Sequence, residues 1–332
     1  MSRRFGFYWS PNSDQLEAEL ELLAYTGANT LYVSHRHLSR VPVDRLRDLG
    51  IRLLVDWSIF AGEHLQQRFP DSVPINAEGQ PYARDQWYVP VCPNHPQIRS
   101  EHLREMTKLL DRDEVTDAQI LEGFWLDFIR FPIRWEGAEP TIPPMCFCRR
   151  CLNLFLQQER EAYSPQETRA LASEILSERL DEWVAWKCDC IAAFVREVRA
   201  LINTQNRPLV LGIFAIPWRR SDFNGAIRSV VGQDLALLAR DVDIFSPMVY
   251  HKLCHQPPVW IEDVVLDHAE WSQKTVLPII QSVHQPDTMT PHELDAALSN
   301  ALRASPDGAM IFTLAPLVES RELAEVVRAH FV

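Results

Sequence analysis

The sequence predicts an α/β protein of the (β/α)8 TIM-barrel class, on three observations. Eight short apolar, β-branched or aromatic runs recur along 332 residues, helical periodicity returns between them, and no glycine-rich phosphate loop follows the first run. An open doubly wound sheet is the competing architecture, and it ordinarily places such a loop where this chain has YWSPNSD. The barrel is expected to occupy 1–332 as a single domain, with loop insertions at about 60–95 and 132–163.

The runs are FGFYWS (5–10), TLYVSHR (30–36), RLLVDWSI (52–59), GFWLDFIRF (123–131), LVLGIFAIP (209–217), DIFSPMVYH (243–251), TVLPIIQSV (275–283) and GAMIFTLAPL (308–317). Turn residues bound each of them. Leu16, Leu20, Leu23 and Tyr25 follow Ser13 at roughly helical spacing, and Leu103, Met106, Leu109 and Leu110 do the same in the third connection. Ser164-Pro165-Gln166-Glu167 and Thr290-Pro291-His292-Glu293 are capping boxes with proline at the first helical position, so helices begin there. From Ser164 to about Asn203 no glycine and no second proline intervenes, which predicts one long helix or two abutting ones. Both insertions leave the C-terminal ends of strands, the face on which barrel enzymes build their sites.

Charge and cysteine usage restrict the function. A formal net charge of −12, with lysine and arginine scattered, opposes a phosphate backbone, so no nucleic-acid partner is expected. The apolar run near the N-terminus is too short for a signal sequence, and no window approaches the ~18 apolar residues of a membrane span. The expectation is a cytoplasmic protein with no membrane partner. Seven cysteines is an odd number, and three of them fall within six residues, which favours a metal or free thiols over a disulfide framework.

The fourth run carries an acid, Asp127, and a guanidinium, Arg130, late in a segment that should be buried. Such a charge is either paired within the fold or delivered to the barrel mouth for acid, base or nucleophilic work. The string Trp125-Leu126-Asp127-Phe128-Ile129-Arg130-Phe131-Pro132 resembles the H-L-D-Y-I-R-Y-P segment that ends strand four of glycoside-hydrolase-like barrel proteins. Ser246-Pro247-Met248-Val249-Tyr250 is similar to their S-P-M-x-Y on strand six. The resemblance implies hydrolysis of an oligosaccharide or glycoside, with Asp127 as an essential carboxylate and Arg130 orienting it or a neighbour. Glycoside hydrolysis normally takes two carboxyl groups. Asp56 at the end of the third run and Asp222 in PWRRSDFNG are the leading candidates for the second, ahead of Glu63, Asp85 and Asp287.

Tryptophans cluster at strand ends and in the loops beyond them, where indole faces suit the C–H faces of sugars. Trp9, Trp57, Trp125 and Trp218 are the expected carbohydrate contacts, with Trp87 and Trp135 also in loops; Trp183, Trp186, Trp260 and Trp271 fall in helical segments. Tyr8, His35, Arg130, Tyr250, His251 and Gln281 are the expected polar contacts.

Cys146-x-Cys148-x-x-Cys151 suits tetrahedral zinc, with Cys92 in VPVCPNHP, or His95 beside it, available as the fourth ligand; unmetallated buried thiols are the alternative. The pattern is similar to the zinc loop of family 42 β-galactosidases, in which a cysteine in a C-P-N setting joins a C-x-C-x-x-C after strand four. That resemblance implies Cys92, Cys146, Cys148 and Cys151 as ligands of a structural Zn2+. The same enzymes carry an Asn-Glu pair at the end of strand four and a glutamate on strand seven, where this chain has Leu126-Asp127 and Gln281. β-Galactosidase activity therefore does not transfer directly. Two alternatives remain: a catalytically inactive carbohydrate-binding barrel, and a metal-dependent hydrolase using His35 and His37.

Overall fold

A computed structural model describes residues 3–83, 88–111 and 120–332. Eight parallel barrel positions are filled by β1 (Arg4–Trp9), β2 (Thr30–Ser34), β3 (Arg52–Ser58), β4 (Leu121–Asp127), β5 (Val210–Ala215), β6 (Ile244–Val249), the paired segments β7 (Thr275–Val276) and β8 (Ile279–Gln281), and β9 (Gly308–Phe312). Pairing of β1 with β9 and of β5 with β6 closes the sheet, so no edge is left open. Two segments share the seventh position because Pro278, lacking an N–H, breaks the ladder between them; its carbonyl still accepts from Met310 N at 2.9 Å.

Strand alternation sends one set of side chains outward to helices and the other into the barrel. Phe5 and Phe7 point outward and meet Phe331 of the helix Arg321–Phe331, at ring-centroid distances of 4.9 and 5.9 Å. Inside, the register puts Tyr8 beside Tyr32, Asp56 beside Trp125, and Trp125 beside Gly212. Gly212 is required there, since a Cβ would stand 2.2 Å from the Trp125 ring. The Trp125 indole N–H donates to Ser246 Oγ at 3.1 Å, and Tyr32 Oη lies 3.2 Å from the same oxygen. The barrel is therefore filled at mid-height, and only its ends are open to chemistry.

Both capping boxes form as expected, starting the helices Pro165–Glu178 and Pro291–Ala304. The long periodic stretch resolves into two helices, the second being Leu180–Ile202, because Arg179 leaves the helical region at φ −132° and ψ 26°.

The two long connections lie against each other. Phe147 N donates to Ile75 O at 2.8 Å, Asn76 bridges to Met145, and Arg150 pairs with Asp71 at 2.8 Å. Phe147 stacks on Trp183 at 4.9 Å and 8°, which ties the second connection to the long helix. Trp183 is thus core, as its helical position predicts.

Candidate active site

Asp127 is the last residue of β4 and faces inward two residues above Trp125; Asp56 faces inward on the neighbouring strand, opposite Trp125. Tyr8, inward on β1, donates its hydroxyl to Asp56 Oδ2 at 2.8 Å. Among the described residues Asp56 Oδ1 is buried with no hydrogen-bond partner. Asp127 Oδ1 accepts from the backbone N–H of Phe128 at 2.7 Å. Phe128 itself has φ +50°, an uncommon state for a bulky side chain that costs on the order of 1–3 kcal/mol. That turn carries the chain sharply off the barrel rim directly behind the acid.

Electrostatics join the two carboxyls. Burial raises the Asp127 pKa to about 6; the Phe128 N–H and Arg130 pull it down, and Glu136 pushes it up. Asp56 is raised well above the carboxylate range by burial and then by repulsion from Asp127, against the lowering effects of the Tyr8 hydroxyl and Arg36. Two acids in this relation share a proton into the neutral range. Burial, then these carboxylates, also holds the Tyr8 and Tyr250 phenols well above their usual range, so both are protonated donors.

Arg130 does not form an ion pair with Asp127. Its Nη1 donates to Tyr88 Oη at 3.1 Å and Ile133 O at 3.3 Å, and the guanidinium lies over the rings of Tyr88 and Phe128 at 5.1 and 5.3 Å. It acts on the site through its field and by fastening Tyr88, from the first insertion, to the strand-four turn. Glu136, from the second insertion, is a third acid at the mouth, half-buried and with its pKa raised by burial. Nothing in the sequence marks it, since its place depends on how Trp135 packs against Tyr250, at 5.7 Å between rings. Tyr250 in turn stacks on Phe312 at 5.3 Å, and Tyr8 meets the same ring at 5.3 Å and 58°.

Several expected contacts fall elsewhere. Trp9 is on the outward face, where its indole donates to buried Glu19 at 2.9 Å. Trp57 is also outward, stacked on His35 at 4.2 Å and donating to His102 at 3.1 Å. His35 lies with Trp57, Arg36, His64 and His102 around a separate cavity of about 370 Å³ outside the barrel wall. Trp125 is fully buried beneath the mouth. Gln281 reaches the rim but spends its amide on the backbone, accepting from Leu253 N at 3.1 Å and donating to Val283 O at 3.0 Å. His251 is buried behind Tyr250, with both ring nitrogens unpartnered among the described residues. Asp222 is held by Arg219 at 2.9 Å, apart from the Asp56–Asp127 pair, while Trp218 lines a groove beside it. Asp287 pairs with Lys252 at 2.5 Å, and Glu63 opens the helix Glu63–Arg68. Asp85 and Trp87 lie outside the described residues.

The four cysteines meet as expected. Cys92, Cys146, Cys148 and Cys151 are all buried, with sulfurs within 4.8 Å of one another, and Cys92 Sγ stands 3.5 Å from Cys151 Sγ and 3.6 Å from Cys148 Sγ. A tetrahedral ion with metal–sulfur bonds of ~2.3 Å needs sulfur–sulfur edges of about 3.8 Å, so the set fits a metal. Ile75 N and Asn94 Nδ2 each donate to a sulfur at 3.4 Å, as thiolates require. His95 is outside the cluster, its Nε2 3.1 Å from Asp71 and its Nδ1 accepting at the helix start Ile98. Among the described residues this is the one group of three or more ligating side chains with metal-site spacing; His35 and His37 belong to no such group.

The fold is a closed (β/α)8 barrel, an architecture that glycoside hydrolases also use. No family model matches the chain, and no curated protein matches it at a significant level. Solved structures do match. The PgaB (BpsB) glycoside hydrolase domain from Bordetella bronchiseptica superposes with a TM-score of 0.71 at 12% identity, over 100% of this chain and 99% of that one. A β-galactosidase from Bacillus circulans sp. alkalophilus gives 0.68 at 14% identity, over 98% of this chain and 55% of that one. α-L-Fucosidase isoenzyme 2 from Paenibacillus thiaminolyticus gives 0.60 at 12%, over 100% and 49%. The chain therefore spans the whole of the first and about half of the others. At these identities the likeness is one of fold.

Proposed function

We propose that this protein is a glycoside hydrolase acting on an oligosaccharide or glycoside, with Asp127 and Asp56 as its carboxyl pair. The observation that carries this reading is the coupled, inward-facing pair at the C-terminal mouth, with no cation in ion-pair contact with either acid among the described residues. Asp127 is the half-buried member and meets the scissile bond; one proton of the pair goes to the leaving oxygen as the glycosidic bond breaks, the ionised member supports the developing positive charge at the anomeric carbon, and water adds there and returns a proton to the pair. Tyr8 and the Phe128 N–H hold the two carboxyls in place. Tyr250 bounds the substrate, and Arg130 fixes the wall by holding Tyr88.

The cysteine cluster, in this proposal, holds a structural Zn2+. Four thiolates close the coordination sphere, so the ion would clamp the two insertions that supply Tyr88 and Glu136 to the mouth and take no part in hydrolysis. Seven unpaired cysteines suit a cytoplasmic setting.

The test is a panel of aryl glycosides and oligosaccharides assayed with wild type, Asp127→Asn, Asp56→Asn and Glu136→Gln. Loss of 10²–10⁴-fold in turnover for both aspartate variants is the expected result. A greater loss in Glu136→Gln than in Asp56→Asn would reassign the second carboxyl. The burial of Asp56, 3% exposed, favours a second reading, a carbohydrate-binding barrel without turnover; bound but uncleaved sugar with wild type would establish it.

A further inference from the structure

The geometry points to a second carbohydrate contact beyond the carboxyl pair: we propose that Phe223 is the platform for the neighbouring unit of a linear oligosaccharide. The substrate class rests on the glycosidase reading above; the subsite rests on three observations of its own.

A groove of about 230 Å³ opens between the connections that follow β4, β5 and β6, lined by Trp135, Trp218, Asp222, Phe223, Gln256 and Trp260 among others. It is smaller than the ~300–1,000 Å³ pockets that engulf a drug-sized ligand, and so suits one ring of a longer chain. The groove continues the mouth. Trp135 packs on Tyr250 at 5.7 Å, Glu136 acts on Asp127, and the next residue, Gly137, forms groove wall with its N–H on Leu253 O at 2.9 Å.

Phe223 is the second observation. At 46% exposure it is the one aromatic among the strongly exposed large apolar residues described. Water is a poor solvent for such a face, whereas the C–H face of a pyranose covers it well.

Third, the turn that presents the ring is both strained and fastened. Phe223 and Asn224 have φ of +50° and +56°, two successive non-glycine residues in the left-handed region. Asp222 accepts from the Arg219 backbone N at 2.8 Å and from its guanidinium at 2.9 Å, while Trp218 O accepts from buried His268 Nε2 at 2.9 Å. The Phe223 ring then rests on Trp218 at 4.8 Å. The turn so fixed leaves the ring exposed at the groove. Asp222 and Gln256 stand beside it as hydroxyl partners. The acid that the sequence offered for chemistry thus shapes a binding turn.

The experiment uses the full chain in an Asp127→Asn background, so that a bound chain stays intact. A glycan array of defined linear oligosaccharides and the matching monosaccharide methyl glycosides is probed with this protein and with added Phe223→Ala, Phe223→Gly or Phe223→Trp, and the best ligands are then titrated by calorimetry. Oligosaccharide affinity is expected to fall roughly three- to tenfold in the alanine and glycine variants, with monosaccharide affinity unchanged and tryptophan restoring the parent value. The glycine variant relieves the backbone strain, so its loss reports the ring and not misfolding. Equal oligosaccharide affinity in Phe223→Ala, or an equal loss for mono- and oligosaccharides, overturns the subsite and leaves the glycosidase reading standing. No carbohydrate bound by the parent overturns both.

Discussion

One strand, β4, carries an acid near each of its ends, and their surroundings are opposite. Glu122, at the N-terminal end, is met by Arg4 at 2.5 Å and Arg52 at 3.6 Å. Asp127, five residues later, has no cation in ion-pair contact among the described residues; its near neighbours are two more acids, Asp56 and Glu136. At the bottom of the barrel charge is neutralised and serves stability. At the top, acids are gathered without a neutralising cation among the described residues, a destabilising arrangement of the kind that acid-base sites use. The cysteine knot is a third arrangement, four buried sulfurs converging at a spacing that fits a metal ion.

The comparison breaks if the two ends respond alike to neutralisation. Asp127→Asn is expected to lower turnover by about 10³-fold or more while the protein stays folded, measured as kcat on the best glycoside of the panel. Next in size is the knot: Cys146→Ser with Cys151→Ser should remove one bound zinc per chain by elemental analysis and cost several kcal/mol in urea unfolding. Residual turnover should follow the folded fraction if the proposed ion only clamps the walls of the mouth. Glu122→Gln is the mirror image of Asp127→Asn. It leaves Arg4 buried without its partner, which should cost about 3 kcal/mol and leave kcat unchanged.

The smallest effect is set by pH. Asp127 titrates near 6 in the folded chain, against ~3.9 when unfolded, so the folded state binds its proton more tightly. Its favourable contribution is complete below about pH 4 and is lost as pH rises through 6, a change of roughly 2–3 kcal/mol. Wild type should therefore lose stability from pH 4 to 7 relative to Asp127→Asn in denaturant titrations at each pH. Turnover should rise over the same interval, as ionisation of Asp127 leaves the pair its single proton on Asp56, and should decline only at higher pH as that proton leaves. A flat difference between the two proteins would show that Asp127 is not desolvated, and the contrast with Glu122 would lose its physical basis.

Barrel architecture was readable because apolar runs and helical periodicity alternate, and both capping boxes act over only three residues. Three members of the cysteine cluster were readable for a related reason: Cys146, Cys148 and Cys151 are so close in sequence that a single loop brings them together, whereas Cys92 came from the family resemblance. Tryptophans were less informative. Trp9 and Trp57 lie one residue from inward-facing Tyr8 and Asp56, and that single step in strand parity turns them to the helices.

Local order therefore determined the strands, the helix starts and the loop of three cysteines, and singled out Asp127 as a candidate, since each is written within a few consecutive residues. Only the closed barrel decided that Asp56 stands beside Asp127, that Arg130 turns to Tyr88, that Asp222 turns to Arg219, and that Glu136 joins the mouth. Those relations depend on strand register and on two long connections folding against each other, contacts between residues far apart in the chain that no short-range periodicity encodes.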